Sequence, residues 1–383
     1  MRSFLDPIIN AIDSLLAWFS ISSKQVTSSY CDLETADDEH TLVSRDGSLI
    51  SIFRIDGVTH LVGREEFDRI HAGLCNALQT GMKRAGHAFQ FYFSYDRKQV
   101  YNDIKEVLRP ARETTKRVEL NLDDLLNERE EYISSYCAQE KMFLVLWTRP
   151  TFLSAEQNKR AHKEKLKFLR KRKVPNLKSS QNFFAAIPDL RNEHDSFVRA
   201  MKNDLEALNL TSELLEVHDA LHEVRMSVDP EFTSQDWRPV LPGDKIPVRD
   251  LKETAGKVAD VVWPNLGKQL FPRDAENVDL RTCRIGDKIY SSVFIDLFPQ
   301  EVKSFISLFS RTLPTRIPWR ISYFVESNGL ASIRFKSLIA SIVSFASPGN
   351  RLLHDASKAL QQVEVGSDDA VVRLRVALST WAR

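Results

Sequence analysis

From Thr41 to Gly57 (TLVSRDGSLISIFRIDG) apolar and polar residues alternate around two Asp-Gly pairs set ten residues apart. Asp-Gly suits a type I′ turn, which needs positive φ at both central residues. The spacing therefore predicts a strand, a turn at Asp46-Gly47, a second strand from Ser48 to Ile55, and another turn at Asp56-Gly57. Residues 22–40 before it are polar and aperiodic, a linker or surface arm. After it, Phe67, Ile70, Leu74, Leu78 and Met82 recur at helical spacing, with Gly86 as a stop. HAFQFYFSYD (87–96) alternates Phe89, Phe91 and Phe93 on one face and predicts a strand. A helical region over about 98–137 is expected to break or kink at Pro110. Its second part carries Leu122, Leu125, Leu126 and Tyr132 on one side and Glu128, Glu130 and Glu131 on the other. MFLVLWTRP (142–150) is a continuous apolar run closed by proline, a buried strand.

Residues 154–173 predict a strongly basic helix, 174–190 a loop, and 191–208 and 211–227 two further helices, followed by a proline-dotted connector over 229–273. The last part repeats the first. A hairpin turns at Gly286-Asp287, a helix follows over 299–313, then the strand IPWRISYFVES, more helix over about 330–363, and the strand DAVVRLRVALSTWAR. The offset is 240 residues from turn to turn (286 − 46) and 234 from tryptophan to tryptophan (381 − 147). Both parts read hairpin–helix–strand–helix–strand. The fold class is α+β: two related lobes with mostly antiparallel sheets, joined by a helical insertion. The divisions are 1–40 (N-terminal helix and arm), 41–153 (first lobe), 154–273 (helical, partly basic insertion and connector) and 274–383 (second lobe).

With 53 Lys and Arg against 52 Asp and Glu, whole-chain charge names no electrostatic partner, so clusters must be read locally. Four scattered cysteines, with no CxxC pair, suit a reducing cytoplasm and small buried hydrophobes. No run reaches the ~18 apolar residues of a membrane span. Near the N-terminus, Asp6-Pro7 caps a helix whose face is Ile8, Ile12, Leu15, Leu16 and Phe19. That helix packs on its own domain or a partner subunit, or lies in a membrane interface with Trp18 and Phe19 inserted.

The chain contains no GxxxxGK[ST], GxGxxG or GxSxG, so it has no motif for a phosphate-cradling loop or a nucleophile elbow. HDALH, from His218 to His222, is the one zinc-like pattern; two exposed histidines on an acidic helix explain it equally. The basic run holds Lys159, Arg160, Lys163, Lys165, Lys167, Arg170, Lys171, Arg172 and Lys173, opposed by Glu164 alone, with Leu166, Phe168 and Leu169 left for docking. It is a solvated helix, or a contact for an acidic partner, anionic lipid or, last, nucleic acid, since no aromatic residues interleave for stacking. Arg149, at the end of a buried strand, is a packing residue or an interface residue.

Several segments in order, SYCDLETADDEHTLVSRDGSLISIFRIDGV, GREEFDRIH, FYFSYDRKQVYNDI and FLVLWTRP, resemble the amino-terminal region of the DotO/IcmB ATPases of Dot/Icm-type (type IVB) secretion systems, and more distantly the TraC/TrbE conjugation ATPases. The likeness runs through residues 1–150, and the second lobe fits the same layout. It implies an assembly module followed by a RecA-like motor using ATP and Mg. The chain ends at Arg383 before any P-loop, so an excised or truncated amino-terminal portion is expected, with no catalytic, cofactor or metal residue of its own. The resemblance further implies self-association as a dimer and a hexamer of dimers, and a cytoplasmic place on the inner membrane. Inner-membrane secretion proteins and a DotB-like second ATPase would be the partners. Contact candidates are Ile8, Ile12, Leu16, Trp18, Phe19, Arg149, Lys163, Lys167, Arg170, Lys171, Arg172 and Lys173. The alternatives are a peripheral lipid or nucleic-acid binder working through residues 159–173, and a zinc hydrolase using His218 and His222.

Overall fold

The computed structural model describes residues 27–83, 85–97, 99–171, 181, 185–229, 232, 234, 236–242, 244, 264–279, 281–293, 317–327 and 372–382. The expected N-terminal helix, with Ile8, Ile12, Leu16, Trp18 and Phe19, lies outside these residues. So do Arg172, Lys173 and the second-lobe helices expected over 299–313 and 330–363.

Among the described residues eleven strands form one sheet: β1 (Leu33–Ala36), β2 (Leu42–Ser44), β3 (Leu49–Gly57), β4 (His87–Asp96), β5 (Gln139–Thr148), β6 (Thr211–Leu214), β7 (Glu276–Asn277), β8 (Thr282–Ile285), β9 (Lys288–Val293), β10 (Trp319–Glu326) and β11 (Arg373–Ala382). Their order is β1-β2-β3-β5-β4-β10-β11-β9-β8-β7, with β6 beside the far half of β3, and every pairing is antiparallel. Match each strand of the first half to its counterpart in the second, β1 to β7 through β5 to β11, and the order is palindromic. The registers repeat as well. Trp147 faces Ile50 on β3, and Trp381 faces Tyr290 on β9, carrying the two sequence offsets unchanged. The halves are fused at their equivalent strands, where Tyr92 of β4 faces Ser322 of β10. The two lobes inferred from sequence are thus halves of one continuous sheet.

Seven helices are described: α1 (Arg64–Met82), α2 (Val100–Arg117), α3 (Asp123–Tyr136), α4 (Ala155–Lys171), α5 (Pro188–Ala207), α6 (Val217–Val228) and α7 (Leu266–Leu270). The first half of the sheet is buried on both faces, as its continuous apolar strands require. Phe53, Phe89, Leu144 and Leu146 meet Leu74, Leu78 and Met82 of α1 and Phe197, Met201 and Leu205 of α5. On the other face Ile50, Ile52, Phe143 and Val145 meet Leu221 of α6 and Leu266 and Leu270 of α7. The segment expected to be a separate insertion therefore completes the first half, giving it β6, α5 and α6.

Four local expectations are corrected. Residues 33–36, read as arm, form β1, and Thr35 within it is fully buried. The turn at Asp46-Gly47 is not type I′. The Gly47 amide donates to Ser44 O, the Ser44 amide donates to Ser48 O, and only Gly47 has positive φ, at 86°. This is a type I turn closed by a left-handed glycine, a three-residue loop. Pro110 sits inside α2 without ending it. Its side chain is exposed, so water can serve the carbonyl that its missing N–H leaves free, and the break falls later, at Glu119 with φ 57°. Residues 211–214, read as helix, are β6, and the helix begins at Val217.

Candidate docking surfaces and the central cleft

The helical hairpin α2–α3 leaves β4 at one end and enters β5 at Gln139. Its two helices are held together by Arg112, whose Nη2 donates to Glu130 Oε2 at 2.6 Å and to Asn127 Oδ1 at 2.7 Å, while Nη1 lies 3.7 Å from Asp123. Glu130 and Leu126 turn inward and are buried. Successive helical residues rotate by 100°, so the opposite face gathers Asp124, Leu125, Glu128, Glu131, Tyr132 and Tyr136. All six are exposed; Leu125 is 58%, Tyr132 66% and Tyr136 72% accessible, with the two tyrosine rings 5.1 Å apart. The sequence reading had set the leucines and the acids on opposite sides. In the structure Leu125 and Tyr132 share the outer face with Glu128 and Glu131, whereas Glu130 is the inward acid.

At the other end of β5, the chain passes through a short 3-10 turn (Pro150–Phe152) into α4. Ala161 of this helix packs with Phe152 and Leu153 against the cluster of Val43, Leu49, Ile187 and Leu190. Leu166, expected to dock, is 48% exposed. The side chains of Phe168, Leu169, Arg170 and Lys171 fall outside the described set. Lys159, Lys163 and Lys167, four residues apart, form one exposed stripe, and Arg160 pairs with Glu164 at 3.2 Å. Lys159, Lys163 and Lys167 thus present an ordered stripe to solvent.

Arg149 makes its contacts within the chain, at the seam between the two halves. Its Nη1 lies 2.6 Å from Glu326 Oε1 of β10, and Oε2 of the same carboxylate is 3.0 Å from Arg375 and 3.8 Å from Arg373 of β11. The Arg149 and Arg375 guanidiniums sit 5.4 and 6.0 Å from the centre of the Phe324 ring. Arg149, Arg375 and Phe324 line an open cleft of about 530 Å³ with Trp147, Gln90 and Ser322, across the seam between the two halves. Asp46 and Arg45 from the first turn complete its rim. Burial opposes ionisation of Asp46, but the hydroxyl of Ser44 and the amide of Ser48 outweigh it and hold the carboxyl below its ordinary value. Arg45, Arg149 and Arg375 thus line the cleft with Asp32 and Asp46, and Glu326, outside the lining, pairs with Arg149 and Arg375.

On the opposite face, His194 of α5 is fully buried between Ser51 of β3 and Thr148 of β5, at 2.9 Å from each. Ser51 Oγ also lies 2.9 Å from His40 O and must donate to it, so Nε2 of His194 donates to Ser51 and Nδ1 accepts from Thr148. Burial pushes the imidazole pKa down to about 4. Nothing in the sequence marked this tie, or the Glu326 cluster, because their members are far apart along the chain.

His218 and His222 hold a loop. Nε2 of His218 lies 3.1 Å from Asp244, whose carboxylate also accepts from the Leu241 amide, and Nε2 of His222 lies 3.1 Å from Ser234 O. Among the described residues no group of three or more metal-ligating side chains converges, and no helix is long and apolar enough to cross a membrane. Compared with known proteins, the chain matches no protein-family model and none of the curated proteins.

Proposed function

We propose that this chain is an assembly and docking module of a type IVB secretion ATPase, attaching a motor to the cytoplasmic face of an inner-membrane secretion complex. The observation that carries the reading is the doubled sheet, packed on both faces in its first half and flanked at opposite ends of β5 by two exposed helical surfaces. Such a body suits holding partners in fixed relation. Its polar clusters tie strands, turns and halves together, and ion pairs to Glu326 border the cleft at the seam. The sequence supports the reading through the ordered likeness of residues 1–150 and the lack of a phosphate-loop motif. On this reading ATP and Mg belong to a separate motor domain, and a DotB-like second ATPase would meet that motor rather than this chain.

The test has two arms. The purified chain is assayed for ATP turnover, and tagged chain is used to capture inner-membrane secretion proteins from detergent extracts. Basal-level turnover with specific capture is the expected result. Stoichiometric nucleotide hydrolysis by the chain alone overturns the reading, as does failure to capture any component of the membrane complex. The lysine stripe of α4 favours a second reading, a peripheral binder of anionic lipid. Flotation with vesicles rich in phosphatidylglycerol separates the two, because only the lipid binder floats without protein partners.

A further inference from the structure

We propose that the outer face of α3 in one copy of this chain docks on the lysine stripe of α4 in a second copy. The contact deepens the assembly role proposed above and rests on it. The two faces match in charge, spacing and apolar content. Asp124, Glu128 and Glu131 recur at about one helical turn on α3, and Lys159, Lys163 and Lys167 do so on α4. Leu125 and Tyr132 flank the acids, and exposed Leu166 flanks the lysines. The remaining charges do not upset the match: Arg129 lies at the edge of the acidic face, Glu156 lies beside the lysines, and Glu164 is already held by Arg160.

Topology makes this a contact between copies. α3 leads into β5 at Gln139 and α4 follows its end at Thr148. Ten residues of strand, at ~3.3 Å each, hold the two surfaces ~33 Å apart in one molecule. Because the two surfaces differ, each copy offers one and receives the other. Two copies can exchange both contacts across a two-fold axis, or each can pass one contact on head-to-tail in a ring or a filament. One helix face against another buries less than the ~1,200 Å² of a stable interface, so each contact is weak and sensitive to salt.

Sedimentation velocity of the whole chain tests this. Average mass should rise with protein concentration at low salt, with association weakened ~10-fold at high salt. Replacing Asp124, Glu128 and Glu131 together by Lys should abolish association, and so should replacing Lys159, Lys163 and Lys167 together by Glu. Mixing the two reversed chains should restore it, since each then presents the charge its partner needs, and that rescue also shows both variants to be folded. The contact is overturned if the unaltered chain stays monomeric, if either reversed chain associates as the unaltered one does, or if mixing restores nothing. Association that persists in both reversed chains sinks this contact alone; the capture and turnover assays judge the assembly role separately.

Discussion

The two halves of the sheet share strand order and register but not chemistry. In the first, β5 turns Leu144 and Leu146 to one apolar layer and Phe143 and Val145 to another. In the second, the equivalent β11 turns Arg373, Arg375, Ala377 and Ser379 to the face that Phe143 and Val145 share in the first. Backbone pairing has kept the geometry while the side chains diverged, because the ladder is made by main-chain groups that do not depend on residue identity. One half became a two-sided core; the other carries a cationic face tied to it through Glu326.

The contrast is tested most strongly at equivalent leucines. Leu144 is fully buried, so Leu144→Ala should cost ~3–4 kcal/mol in urea unfolding, whereas Leu378→Ala, at a half-buried equivalent position, should cost ~1 kcal/mol. Equal costs would mean that the halves are equally packed. Next in size is the His194 tie, which belongs to the first half. The unfolded chain takes up a proton as pH falls below 6.5 and the folded chain does so only near pH 4. Stability from this group is therefore complete above pH 6.5 and declines by roughly 3 kcal/mol as pH falls to about 4. Urea midpoints across that range should show the slope, and His194→Leu should flatten it.

At the seam, Glu326→Gln leaves the guanidiniums of Arg149, Arg373 and Arg375 without their shared carboxylate. They are 31%, 43% and 58% exposed, so water softens the loss to ~1–2 kcal/mol. A double-mutant cycle with Arg149→Ala should return a coupling of ~1 kcal/mol; no coupling would mean that the halves are joined by main chain alone. The smallest contrast lies in the turns. Gly47 has φ 86° and a side chain there would meet Ile187 Cδ1 at 3.0 Å, so Gly47→Ala should cost ~1–2 kcal/mol; Gly286, at φ 60°, should cost ~1 kcal/mol. Thermal melts of the two variants give the difference.

The duplication was legible because the turns, tryptophans and alternating strands recur at nearly fixed offsets. The strands β3, β4 and β5 were legible for the same reason, being long and periodic. What escaped was short or non-local. β1 and β6 are four residues each, LETA and TSEL, and neither has an alternation that outweighs its polar letters; β6 exists because β3 offers it an open edge. The merger of two lobes into one sheet depends on β4 meeting β10, more than two hundred residues away, which no local pattern encodes. The outer face of α3 was misread although the 100° rotation places Glu128 within 60° of both Leu125 and Tyr132. Burial of Leu126 and Glu130 beneath Arg112 is what settles which side faces in.

Because the sheet is a palindrome, its two outermost strands are counterparts, and both are short: four residues in β1 and two in β7. Unpaired main-chain N–H and C=O groups at a sheet border invite another chain to add itself, and stubby borders give it little to grip. Fusion through β4 and β10 has meanwhile sealed the long strands inside. Among the described residues the ladder therefore offers little to lateral polymerisation, which leaves contacts between copies to side chains such as those on the helices.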